Sequence, residues 1–135
     1  MQTSDAKGHE RRKYRRVIFT AEHNISGQFL MPGTGHKPIN ALILNLSMGG
    51  LYFTPKKGRN PDIKNGDQLV FMHLYVPQSD PLILNIDAEI KWIMDPALLE
   101  HIGIGCSFIK LSSSSYQRLE TFMETFLNLT QPITQ

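Results

Sequence analysis

Residues 82–92 alternate with a period of two: Leu82, Leu84, Ile86, Ala88, Ile90 and Trp92 take one set of positions, and Asn85, Asp87, Glu89 and Lys91 fall in the other. Successive side chains of an extended chain point to opposite sides, so this period of two predicts a strand with one buried face. The same phase puts Trp92 with Ile90 and Ile86, which predicts it in the core. Ile102, Ile104, Cys106 and Phe108 repeat the device with Gly103, Gly105 and Ser107 opposite. Glycines inside a strand mark a close approach by another backbone or a ligand. β-Branched and aromatic runs predict further strands at 17–19, 41–46, 51–54 and 69–76. Turn signals punctuate the chain at Ser26-Gly27, Pro32-Gly33, Met48-Gly49-Gly50, the loop 56–66 and 77–81. Only the last segment changes period. Tyr116, Leu119, Phe122, Met123, Phe126 and Leu127 recur at spacings of three and four, predicting one helix capped by a serine among 113–115. Short strands with a terminal helix predict a mainly β fold: a small antiparallel six- or seven-stranded β-barrel, closed to leave no long edge, with a C-terminal α-helix packed on it.

Length and composition narrow this further. A chain of 135 residues with 41% hydrophobic and 19% charged residues has the size and make-up of one globular domain. We divide it into a flexible N-terminal tail at 1–10, a barrel domain with its helix at 11–127, and a C-terminal tail at 128–135. The longest apolar stretch, 69–76, is broken by His73 and is far shorter than the roughly 18 residues that span a bilayer, so no membrane insertion is expected. The N-terminus is polar and then basic, without the apolar segment of a secretory signal, and the lone Cys106 excludes an internal disulfide. Both point to the cytoplasm.

The net charge of +2 conceals an asymmetry: residues 1–60 hold ten basic and three acidic groups, the remainder four basic and nine acidic. Such a division points to an anionic partner for the first part. Five of the positive charges are Arg11, Arg12, Lys13, Arg15 and Arg16, leading directly into the strand at 17–19. Arginine matches phosphate bidentately, reads the guanine edge and stacks on bases, whereas lysine supplies charge alone. Four arginines in five therefore favour shaped recognition over a nonspecific polyanion arm.

Enzymatic chemistry finds little support. His9, His23, His36, His73 and His101 are scattered without metal-ligand spacing, and no phosphate-cradling glycine loop is present. Cys106 falls on the inward face of a strand, where a thiol is an inert small hydrophobe. Asp87 and Glu89 fall on an outward face as solvated charges. No enzyme activity, metal or cofactor is expected. A second binding element stands at a strand end: Asn45, Ser47 and Gly50 form Asn-x-Ser-x-x-Gly, in which Gly49 and Gly50 permit positive φ and close ligand approach. Alone it reads as a tight turn.

Together, Arg12 and Arg16 as Arg-x-x-x-Arg, and Asn45, Ser47 and Gly50 as the second motif, resemble the PilZ domain family of bacterial receptors for cyclic di-GMP. The resemblance runs from about Arg11 to Leu127 and makes the chain similar to a stand-alone, single-domain member. Arg11 and Arg15 have the same spacing, and the register rests on the strand that follows. The resemblance implies that Arg12 and Arg16 grip guanine and phosphate, that Asn45 and Ser47 bond the base and fix the loop, and that Gly50 holds the bend. Arg11 resembles a variant associated with an intercalated ligand dimer, and Trp92 is a candidate platform beside a guanine. Ligand binding would order the arm and relay the signal to an unidentified effector protein, in motility or biofilm regulation. The alternative is a small β-barrel that binds nucleic acid through the basic arm, although a short clamp suits two phosphates better than a long polyanion. A ligand-free adaptor is disfavoured by the presence of both motifs.

Overall fold

A computed structural model of the chain describes residues 15–32, 37–57 and 63–130, with residues 129 and 130 described by their backbone alone. Arg11, Arg12 and the tail 1–10 lie outside the described residues. Seven strands precede one helix: β1 (Arg16–Ile18), β2 (Ser26–Leu30), β3 (Pro38–Ser47), β4 (Gly50–Thr54), β5 (Gln68–Tyr75), β6 (Leu82–Met94), β7 (Gly103–Lys110) and α1 (Ser113–Thr130). Every pairing is antiparallel. The order β3-β2-β5-β6-β7-β4 returns to β3, closing a six-stranded barrel, and β1 lies outside it, paired to β3. The expected mainly β barrel with a terminal helix is the observed architecture.

The ten-residue β3 makes this possible. One of its edges takes β2 along residues 38–42 and then β1 along 45–47, while the other takes β4 along 42–47. Inside the barrel, Phe29 of β2 stacks between Phe53 of β4, centroids 3.9 Å apart, and Phe71 of β5, at 5.2 Å. All three are fully buried. Side chains from three strands thus meet on the axis, and their burial drives closure non-directionally while the ladder bonds fix register.

Strand β2 corrects the sequence reading, in which Ser26-Gly27 was a turn. Ile25, Gly27, Phe29 and Met31 all face inward, but the glycine hides the alternation. A Cβ at Gly27 would sit 3.0 Å from both Ile43 Cδ1 and the Phe29 ring, so the position is inward and a side chain there would press on both neighbours. The tight link from β1 to β2 is a 3₁₀ turn, Ala21–His23, closed by Asn24 in the left-handed region at φ 52°.

Helix α1 seals the barrel through Leu119 and Met123, both buried. Phe126 meets Phe19 and His23 edge-on, each with centroids 5.0 Å apart. The cap is Ser112, one residue earlier than expected: its Oγ accepts the Ser115 N–H at 3.1 Å. Ser115 is instead buried and donates from its hydroxyl to the Leu84 carbonyl at 2.6 Å, tying the first turn to β6. Tyr116 stands outside the packed stripe, and the helix runs past Leu127 to Thr130. No helix among the described residues is long and apolar enough to cross a membrane.

Candidate functional site

The outer face where β1, β3 and β4 meet carries the described motif residues. Arg16 opens β1 opposite Ser47, and Ile18 lies opposite Asn45. Antiparallel pairing therefore sets residues 29 apart in sequence side by side, and Arg16 Nη1 donates to Asn45 Oδ1 at 2.7 Å. That bond fixes one edge of the planar guanidinium fork. Asn45 reaches the outer face only because β3 breaks its own alternation. Ile39, Ala41 and Ile43 point inward and simple continuation would bury residue 45, but the β3–β4 register shifts between Ile43 and Asn45, turning Leu46 inward instead.

The turn after β3 is held by its own serine. Ser47 is buried; its Oγ accepts the Gly49 N–H at 3.0 Å and donates to the Gly50 carbonyl at 3.4 Å. Both hydroxyl contacts are spent on the loop, and neither is directed at solvent. Gly49 accepts the Phe108 N–H at 2.8 Å, stitching the turn to β7. The expected positive φ is absent from Gly49 and Gly50; among the described glycines it occurs at Gly66. The requirement at Gly50 is steric: it pairs with Ser107, and a Cβ there would run into the Cys106 carbonyl oxygen. The close approach anticipated for a ligand is made by β7.

Beside the turn lies an aromatic platform, of which the sequence reading identified one member and misplaced it. Trp92 is not in the core; it is 43% exposed. The β6–β7 register shifts between Ile90 and Trp92, and the bulge moves the indole to the outer face, as bulges re-aim side chains near sites. There it stacks on Tyr52 of β4, centroids 4.8 Å apart and planes 27° from parallel. The two glycines of β7 explain the geometry: a Cβ at Gly105 would strike the indole, and one at Gly103 the Tyr52 ring. Each ring occupies the space that a side chain at the glycine would need. Tyr52 was missed, although Leu51 and Phe53 on either side of it alternate inward and leave an aromatic facing out.

The face thus brings together Arg16, Asn45, the Ser47–Gly50 turn, Tyr52 and Trp92; Arg11 and Arg12 lie outside the described residues. It offers a cation, an amide and a stacking surface. Burial pushes the Cys106 thiol up from its ordinary 9.0 to about 12, leaving it protonated and unreactive at neutral pH. Among the described residues, no three His, Cys, Asp or Glu side chains gather as metal ligands do.

A family model described as the PilZ domain matches residues 10–125. No curated protein matches the chain. Among solved structures, the fold is similar to the Bacillus subtilis inhibitor of motility MotI/DgrA at 15% identity and a TM-score of 0.66, over 89% of this chain and 53% of that one. It is similar to the K. pneumonia MrkH–c-di-GMP complex at 16% identity and 0.68, over 88% and 53%. The PilZ domain of Escherichia coli YcgR with c-di-GMP matches at 14% identity and 0.62, over 91% of this chain and 99% of that domain. The chain spans about half the length of the first two, and at these identities the likeness is one of fold.

Proposed function

The chain belongs to the PilZ domain family, and from that premise we propose that it is a receptor for cyclic di-GMP. The observation that carries the reading is the 2.7 Å bond between Arg16 and Asn45, which joins the ends of two sequence motifs on one outer face. MrkH and the YcgR domain, with which the fold is shared, are described in complex with that ligand. The ligand has two phosphates and two guanines, and the face answers it in kind. Arg16, with Arg12 and Arg11 from the preceding segment, takes phosphate oxygens and the guanine edge. Asn45 bonds the base while orienting Arg16. Ser47, Gly49 and Gly50 hold the turn, and Trp92, backed by Tyr52, is the surface on which a guanine stacks.

Signal relay follows from the charge. Two phosphates offset the five positive groups of residues 11–16, letting that segment close over the barrel and present a changed surface to an effector protein. The resemblance of Arg11 to the variant associated with an intercalated ligand dimer extends the proposal to two ligands per chain, a stoichiometry that calorimetry reads directly.

Calorimetric titration of the chain with cyclic di-GMP tests the proposal. Hydrogen bonds to charged groups contribute about 1.5–3 kcal/mol, so Arg12→Ala or Arg16→Ala should each weaken binding by roughly tenfold to a hundredfold. No heat at micromolar protein, or unchanged affinity in both variants, overturns it.

A further inference from the structure

A cavity of about 520 Å³ opens on the outer surface where β2, β3 and the end of β4 approach the segment before β7. Its polar walls are Gln28, Asn40, Thr54, Lys56 and His101, with Leu42 as an apolar patch. It lies apart from the Arg16–Asn45 face: Lys56 is four residues beyond Tyr52, or about 13 Å along an extended chain.

Its charge is one-sided. No carboxylate is among the described residues lining it. Of the two adjacent lysines, Lys57 is engaged, 3.0 Å from Asp95 and donating to the Pro96 carbonyl at 2.5 Å. Lys56 has no ion pair among the described residues. Lys56 and His101 form an antiparallel bridge, so their side chains leave the backbone on the same side as near neighbours. The bridge itself is clamped: Lys57 N–H donates to the Glu100 carbonyl at 2.7 Å and Ile102 N–H to that of Pro55 at 3.1 Å. A cation and a titratable imidazole are therefore held side by side at the mouth of a polar hollow. Across it, Asn40 lies opposite Gln28 in the β2–β3 register. The Gln28 Oε1 is 2.8 Å from His73 Nδ1, which fixes the amide and leaves its NH₂ side as donor.

We infer that this cavity is a separate binding site for a phosphate monoester of mononucleotide size, with the phosphate between Lys56 and His101 and the remainder against Asn40, Gln28 and Thr54. The Lys56 ammonium and the His101 ring N–H answer one phosphate, and the amides and hydroxyl answer a polar head group. The volume lies within the few hundred to a thousand Å³ usual for small-ligand sites. The inference does not depend on cyclic di-GMP binding at the other face.

Amide NMR titration of the isotope-labelled chain with guanosine monophosphate, inorganic phosphate and phosphate-free guanosine reads the site directly. We expect saturable shifts at Asn40, Thr54, Lys56 and His101 with the monophosphate, weaker ones with phosphate, and none with guanosine. Lys56→Ala and His101→Gln, both at exposed positions, should each weaken monophosphate binding by about five- to tenfold at a solvent-facing site. Lys56→Ala should leave cyclic di-GMP affinity unchanged, and Arg16→Ala should leave monophosphate binding unchanged. Shifts that stay linear to millimolar ligand, persist undiminished in Lys56→Ala, appear equally with guanosine, or centre on Arg16 and Asn45 overturn the inference. Whether cyclic di-GMP binds at the Arg16–Asn45 face is decided separately by the calorimetric titration.

Discussion

Gly50 separates two reasons for a glycine in a binding motif. A glycine can be demanded by positive φ or by a ligand that must approach the backbone; here the neighbour that fills the space is the Cys106 carbonyl of β7. A backbone oxygen in a paired ladder cannot swing aside as the tip of a flexible side chain can. Gly50→Ala should therefore cost about 3 kcal/mol of stability, at the upper end of the usual overpacking penalty. The measurement is a urea midpoint shift at unchanged m-value. Native stability with loss of ligand binding alone would return the glycine to the ligand. The residue type was legible in the sequence, and its reason was not, because the crowding atom comes from a strand more than fifty positions away. Arg16 and Asn45 were legible as chemistry, but their mutual bond depends on the β1–β3 register, which no local pattern encodes.

The elements were legible wherever phase ran unbroken, as along Leu84, Ile86, Ala88 and Ile90, all buried. Two departures build the site. Continuing the alternation would bury Asn45 and Trp92, and in each case a register shift carries the side chain to the outer face. A one-residue slip exchanges the faces of a strand, so a bulge reverses the expected side of everything beyond it. A third failure, at β2, came from a glycine occupying an inward position. The bulge in β6 has a direct optical consequence, since Trp92 is the single tryptophan of the chain. Its half-exposed indole should show solvent-accessible emission that changes on adding cyclic di-GMP, as a guanine covers the ring. Base–aromatic stacking is worth about 1–3 kcal/mol, so Trp92→Ala should weaken the ligand by roughly fivefold to a hundredfold. Emission that is indifferent to saturating ligand, together with full affinity in Trp92→Ala, would remove the platform from the site while leaving the bulge as a structural fact.

At the scale of the molecule, closure of the barrel leaves its outer face as the place where distant motifs can meet, and charge decides what can settle there. The chain sums to +2, yet the five basic residues of 11–16 outweigh an otherwise acidic remainder. Such a remainder repels a long polyanion laid across the barrel but tolerates a small one held by residues 16 and 45 and their neighbours in sequence. Salt distinguishes the two. For a single strand held by Z basic groups, affinity falls with a logarithmic slope near −0.7Z, so engagement of all five predicts a loss of about a hundredfold between roughly 50 and 200 mM salt. A ligand with two phosphates has at most two charges to answer and carries no condensed counterion layer, so its affinity should fall by less than about tenfold over that range. Titrations of cyclic di-GMP and of a single-stranded oligonucleotide at both salt concentrations make the comparison. A shallow dependence for the dinucleotide, with weak and steeply salt-sensitive oligonucleotide binding, is the expected pair. Tight oligonucleotide binding that displaces the dinucleotide at the higher salt would mean that the basic segment is a nucleic-acid arm, and that the platform formed by Tyr52 and Trp92 stacks the bases of a strand.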